Sequence, residues 1–198
     1  IKLNLALLAQ IDRDKLNETD ALAYDVFKYT QERALAGTTD EIRALTEVRP
    51  INHFFGLHTF YPNFASGKGV APFKTLANYE DNLSRHNDYI DFVDRAIAKF
   101  REGMKSGVVE TKLTVGIMVT QLTTQIDTPL AESQFMGPVK EFPEGFSEAD
   151  KARLTAAYEA KTRELYAANT RLRDFLRDEY LPAARDSIGL SQMKGGAT

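Results

Sequence analysis

The chain has 198 residues, of which 43% are hydrophobic and 27% charged, with a formal net charge of −3; this balance is that of a globular chain and far from disorder. The slightly acidic charge argues against a general nucleic-acid binder, which would present a basic face, and the absence of cysteine excludes disulfides and thiolate metal sites. There is no run of about 18 apolar residues, so no membrane-spanning helix is expected, and the length suits one domain over 1–198.

Read in chain order, Asn4 to Leu16 predicts a first helix. Thr19 is the expected N-cap of a second, from Asp20 to about Ala36, ended by Gly37. Thr39-Asp40-Glu41 starts a short third helix to Glu47. The stretch 50–72 breaks the pattern. Pro50, Gly56, Pro62, Gly67, Gly69 and Pro72 punctuate it, with Phe54, Phe55, Phe60, Tyr61 and Phe64 between. This excludes a long helix and predicts an ordered, extended, aromatic excursion with room for a short strand. Thr75 caps a helix to about Leu83. A longer amphipathic helix follows from His86 to Met104, marked by Ile90, Val93, Ile97, Phe100 and Met104 and closed by Gly107. Glu110 to Ile126 mixes strand-favouring Thr and Val with a helical line through Leu113, Ile117 and Leu122, and is read as helix. Thr128 to Gly145 is loop. Ser147 caps the longest helix, Glu148 to about Tyr180, whose apolar line includes Leu154, Tyr158, Leu165, Leu172 and Leu176, with Pro182 marking its end or a kink. Residues 191–198 read as an interrupted loop. This loop favours the amino-terminal part of a longer protein, and the start at Ile1 rather than Met fits a processed or trimmed start. The fold class is therefore all-α: an irregular bundle of about six helices with a Pro/Gly-rich aromatic extended excursion.

The chemistry-bearing residues are sparse. His53 and His58 lie five apart, which suits neither one face of a helix nor one face of a strand, and does not match the i, i+4 pair of a helical zinc site. His86, among Arg85, Asn87 and Asp88, is expected at the surface. Asp88, Asp91 and Asp94 are explained by a solvated helix face. No Gly-x-Ser-x-Gly elbow and no phosphate loop occurs. Arg185-Asp186, between Pro182 and Gly189, either pins the turn out of the long helix or lines a cleft. No catalytic and no metal-ligating residue is assigned. The substrate-cleft candidates are Asn52, His53, Arg185 and Asp186, the first two because irregular loops held on a rigid body often carry binding residues.

Four segments carry a resemblance: Arg49-Pro-Ile-Asn-His-Phe-Phe-Gly-Leu-His58, Pro72-Phe-Lys-Thr-Leu-Ala-Asn-Tyr-Glu80, Glu132-Ser-Gln-Phe135, and Leu172 through Leu190 with its Arg-Asp-Glu-Tyr-Leu-Pro-Ala-Ala-Arg-Asp-Ser core. In this order they resemble the bacterial domain of unknown function 885 family, over nearly the whole chain. The resemblance implies a mostly helical fold in longer relatives that look like zinc-dependent peptidases. It also implies a periplasmic or envelope-anchored location, often as a lipoprotein. The zinc would be held by a His-Glu-x-x-x-Gly-His-His-type motif beyond the matching region, where two His and a Glu supply ligands and a general base. No residue of this sequence matches that motif. The expected role is thus a non-catalytic amino-terminal region that shapes a substrate cleft, with the carboxy-terminal part of the same protein as partner and a peptide as substrate. The rival is a freestanding helical binding or scaffold domain of an envelope lipoprotein with no hydrolase activity.

Overall fold

Helix starts follow side-chain caps along most of the chain. In the computed structural model, which describes residues 1–197, α1 spans Lys2–Leu8, α2 Glu18–Ala36 and α3 Asp40–Thr46. The first helix stops at Leu8 instead of reaching Leu16. The Asp12 side chain accepts the Asp14 N–H and opens a separate 3-10 turn at Arg13–Lys15. The second helix begins one residue before the expected cap, because Asn17, not Thr19, accepts the Asp20 N–H. Thr39 caps α3 as expected. These elements form one compact unit, Ile1–Glu47; a second runs from Val48 onward.

In the second unit, α4 (Leu57–Phe64) lies inside the stretch expected to be extended, and no strand forms there. Pro62 sits within this helix and cannot donate to the carbonyl four residues back, that of His58. The Gln125 side-chain amide donates to that carbonyl at 2.7 Å instead. Tertiary structure thus supplies the hydrogen bond that proline removes.

The two helices expected over 75–83 and 86–104 are one. α5 runs from Leu76 to Ser106, 31 residues, opened by a Thr75/Asn78 capping box and closed at Gly107. Nothing interrupts it at Ser84-Arg85, because Tyr79, Asn82, His86, Tyr89, Val93, Ile97 and Phe100 continue one buried stripe. α6 (Lys112–Asp127) is capped by Thr111, and the helical reading of this Thr/Val-rich segment holds. The expected loop after it contains two 3-10 turns, Leu130–Glu132 and Gln134–Val139. α7 (Glu148–Phe175) starts at the Ser147 cap. It then widens into a π-turn over Leu176–Tyr180 and leads into α8 (Leu181–Ala183), where Pro182 has no N–H to return to the preceding turn. The fold is all-α, with eight α-helices among the described residues rather than about six. Beyond α8 a 3-10 turn forms at Leu190–Gln192, overlapping the start of the segment 191–198 expected to be loop; Thr198, the last residue of that expected loop, lies outside the described residues.

The main core joins α5, α6 and α7. Val93, Phe100, Met118, Leu122, Leu165 and Leu172 are all fully enclosed there. A smaller aromatic core, around Tyr79, Leu154 and Tyr158, sits nearer the start of α5 and α7.

Candidate functional site

The segment before α4 is a tight knuckle built by one side chain. Asn52 Oδ1 accepts the backbone N–H groups of Phe54 at 2.8 Å and Phe55 at 2.7 Å, and the Asn52 N–H donates to the Phe55 carbonyl at 2.8 Å. Closing the turn this way leaves both phenyl rings outside, 73% and 72% exposed, edge to face at 5.1 Å. Gly56 follows, where a Cβ would fall 2.6 Å from His58 Nδ1, so the chain passes only as glycine.

α6 holds this knuckle with two glutamines one turn apart. Gln121 Nε2 donates to the His53 carbonyl at 2.9 Å, and its Oε1 lies 3.2 Å from His58 Nε2. Because that oxygen can only accept, His58 carries its proton on Nε2, which leaves a buried Nδ1 lone pair without a partner. Burial lowers the His58 pKa, and the bond to Gln121 opposes it. Gln125 takes the His58 carbonyl and accepts in turn from Asn169 Nδ2 at 3.1 Å; the Asn169 Oδ1 accepts the Tyr89 hydroxyl at 2.8 Å. A continuous polar line therefore crosses from α4 through α6 and α7 to α5.

Arg185 and Asp186 lie where the chain leaves α8. The Arg185 N–H donates to the Glu110 carbonyl at 3.1 Å, and the Lys112 N–H donates to the Arg185 carbonyl at 2.9 Å, an isolated parallel bridge at the start of α6. The Arg185 guanidinium donates to the carbonyls of Val109, Ser187 and Gly189 at 3.3, 2.8 and 2.7 Å. Beneath this turn the Glu110 N–H donates to the Tyr180 hydroxyl at 2.9 Å, and burial raises that phenol to about 12. The Arg49–Glu110 ion pair, at 3.2 Å, is also largely enclosed. Asp186 is exposed and pairs with Lys112 at 2.9 Å.

The two candidate pairs do not touch each other. Both, however, attach to α6: His53 at Gln121, Asp186 at Lys112. Nine residues of helix separate these anchors, about 14 Å along the axis. Between them the outer face of α6 shows Leu113, 66% exposed, with Gly116, Ile117 and Thr120, around a shallow depression of about 460 Å3. Beside the knuckle, Pro50, Phe54, Phe60 and Phe92 border a second depression of about 540 Å3. Such a face, apolar with polar groups at both ends, can hold an extended chain or a protein surface; it carries no paired acid and base for bond breaking. Among the described residues no group of three or more His, Cys, Asp or Glu side chains could hold a metal ion.

One centre escaped the sequence. His86, expected at the surface, is fully buried, with its Nδ1 2.7 Å from the Tyr61 hydroxyl and its Nε2 without a partner. Rings of Tyr61, Phe135 and Tyr158 close on it edge-on at 5.7–5.9 Å. Burial, helped by the positive charge of Lys161, lowers its pKa to about 4, so it is a neutral imidazole at physiological pH. The legible signal was its place on the α5 stripe, seven residues before Val93 and three before Tyr89. The charged neighbours Arg85 and Asp88 masked it. Gln121 and Gln125, at i, i+4, gave no such signal, because glutamine pairs on helices are common surface features.

The family model described as "Bacterial protein of unknown function (DUF885)" matches residues 1–198. No curated protein and no solved structure matches the chain.

Proposed function

The chain belongs to this DUF885 family of bacterial proteins, and from that premise we propose that it is the non-catalytic amino-terminal helical region of a metallopeptidase-like envelope protein. In this reading it forms one wall of a peptide-binding cleft that the carboxy-terminal part of the same protein completes. The observation that carries the proposal is the outer face of α6, where exposed Leu113 and Ile117 lie between the Asn52–His53 knuckle and the Arg185–Asp186 turn. Asn52 shapes the knuckle, Arg185 rigidifies the opposite end, and exposed His53 and Asp186 are the groups left for a substrate or for the adjoining part.

The zinc implied by the family does not fit the described residues, which offer no ligand set. No step of the proposal runs through a metal on this chain. Its role is binding and orientation, with chemistry on the part that bears the His-Glu motif.

The test uses the protein that joins this region to that motif, assayed on peptides. His53→Ala and Asp186→Ala should raise KM about fivefold with kcat unchanged, the signature of lost uniform binding. Unchanged KM in both variants would remove the cleft assignment. A protein that binds zinc and still cleaves no peptide would favour a binding or scaffold domain.

A further inference from the structure

A cavity of about 560 Å3 in the second unit shares no residue with the face of α6 described above. It lies between the end of α4 with the loop after it and the 3-10 turn Gln134–Val139 with the loop that follows. Its volume falls within the range of small-ligand sites.

The floor is aromatic and fixed. Phe73 and Phe142, both half-buried, flank the buried Tyr79 ring at 5.2 Å edge-on and 5.5 Å stacked. The Tyr79 hydroxyl donates to the Pro138 carbonyl at 3.1 Å. Ser66 Oγ donates to the Asn63 carbonyl at 2.7 Å and accepts the Lys68 N–H at 3.1 Å. The two walls meet so closely at Gly137 that a Cβ there would fall 2.1 Å from the Ser66 carbonyl oxygen. The cavity is therefore formed before any ligand arrives, which limits the ordering penalty of binding.

The rim is charged and balanced. Lys68 and Lys140 carry ammonium groups, Glu132 and Glu141 carboxylates, and all four are exposed. Among the described residues none of the four side chains takes part in an ion pair, although charged residues elsewhere on this surface are widely paired. Asn63 and Gln134 add amide donors and acceptors at the mouth. A polyanion such as a nucleotide would meet as many carboxylates as ammonium groups, and a purely apolar ligand would leave four charges unused. The complementary ligand bears one cation, one anion, peptide amides and an aromatic or large apolar side chain.

We propose that this cavity binds short peptides with free termini and an aromatic side chain. The ring packs on Phe73 and Phe142, the carboxylate meets Lys68 and Lys140, and the ammonium meets Glu132 and Glu141. The proposal is independent of the cleft reading, since it needs neither the face of α6 nor a metal.

Calorimetric titration of the 198-residue chain with Ala-Phe-Ala tests it. Saturable binding is expected, with a dissociation constant on the order of 1 mM or tighter. Acetylating and amidating the peptide, or replacing its Phe by Ala, should each weaken binding about fivefold or more. The double variants Lys68→Gln/Lys140→Gln and Glu132→Gln/Glu141→Gln change only exposed side chains and should fold normally. Each should lose about fivefold for the free peptide and nothing for the blocked one, while Lys105→Gln, outside the cavity, should change neither. No saturable binding up to about 10 mM, equal affinity for free and blocked peptides, or affinity unchanged in both double variants would overturn the proposal.

Discussion

His86 carries the clearest consequence at the scale of single residues. Its imidazole is buried and neutral, with a pKa lowered to about 4 from the ordinary 6.5. The unfolded chain therefore takes up the proton first as pH falls. The stability this group contributes is complete above about pH 6.5 and is lost progressively as pH falls through its folded value near 4. Its size is on the order of 3 kcal/mol. His58, also lowered by burial, acts in the same direction. Urea unfolding of the protein and of His86→Asn at pH 7 and pH 4.5 is the check. The substituted protein should be less stable at pH 7, because the smaller Asn side chain leaves a void among the Tyr61, Phe135 and Tyr158 rings, yet should lose less on acidification. An identical loss in both proteins would show that His86 does not report on acid.

At the scale of elements, α7 is the helix against which both α5 and α6 pack. Leu165 and Leu172 lie at that junction with no exposed surface. Truncating either to Ala should destabilise the protein by about 2–5 kcal/mol, and a measured loss under about 0.5 kcal/mol would contradict that placement. The irregular α4 depends on a neighbour in a different way. Gln125→Leu keeps the bulk but withdraws the donor from the His58 carbonyl opposite Pro62. A penalty of about 1–3 kcal/mol is expected, with faster amide exchange around 57–64 before the rest of the molecule. The turn after α8 depends on Arg185. Lys can supply the charge at that position but not a planar fork reaching three carbonyls. Arg185→Lys should therefore lower the melting temperature, whereas Asp186→Ala, which breaks only an exposed pair, should hardly change it.

On the scale of the whole molecule the two units differ in how much they enclose. The unit from Val48 onward holds both apolar cores. In Ile1–Glu47 the one buried residue is Leu8, and Leu22, Val26 and Tyr29 of α2 are 57–64% exposed. Residues 48–198 expressed alone should keep a helical circular-dichroism spectrum and unfold cooperatively, since the burial that drives folding lies within them. Residues 1–47 alone should show no cooperative transition, as helices without a packed face are marginal in water. A non-cooperative melt of the larger piece would mean that its cores are insufficient by themselves.

Much of this architecture is determined locally and was legible in the chain. Thr39, Thr75 and Ser147 start helices because each side chain accepts the N–H three residues on. The all-α class and the burial of Leu165 and Leu172 follow from apolar spacing, which needs no knowledge of partners. The candidates Asn52, His53, Arg185 and Asp186 were likewise nameable as polar groups at irregular points. That both pairs attach to α6 was not, because spacing along the chain carries no distance between remote segments. Only the tertiary structure decided that α4 continues through Pro62, where the replacement donor comes from a residue 67 positions away. It alone placed His86 inside, where one aromatic cluster brings together Tyr61, Phe135 and Tyr158. Caps and stripes are short-range, so a sequence determines them by itself. The satisfaction of a buried polar group depends on what the fold brings alongside it.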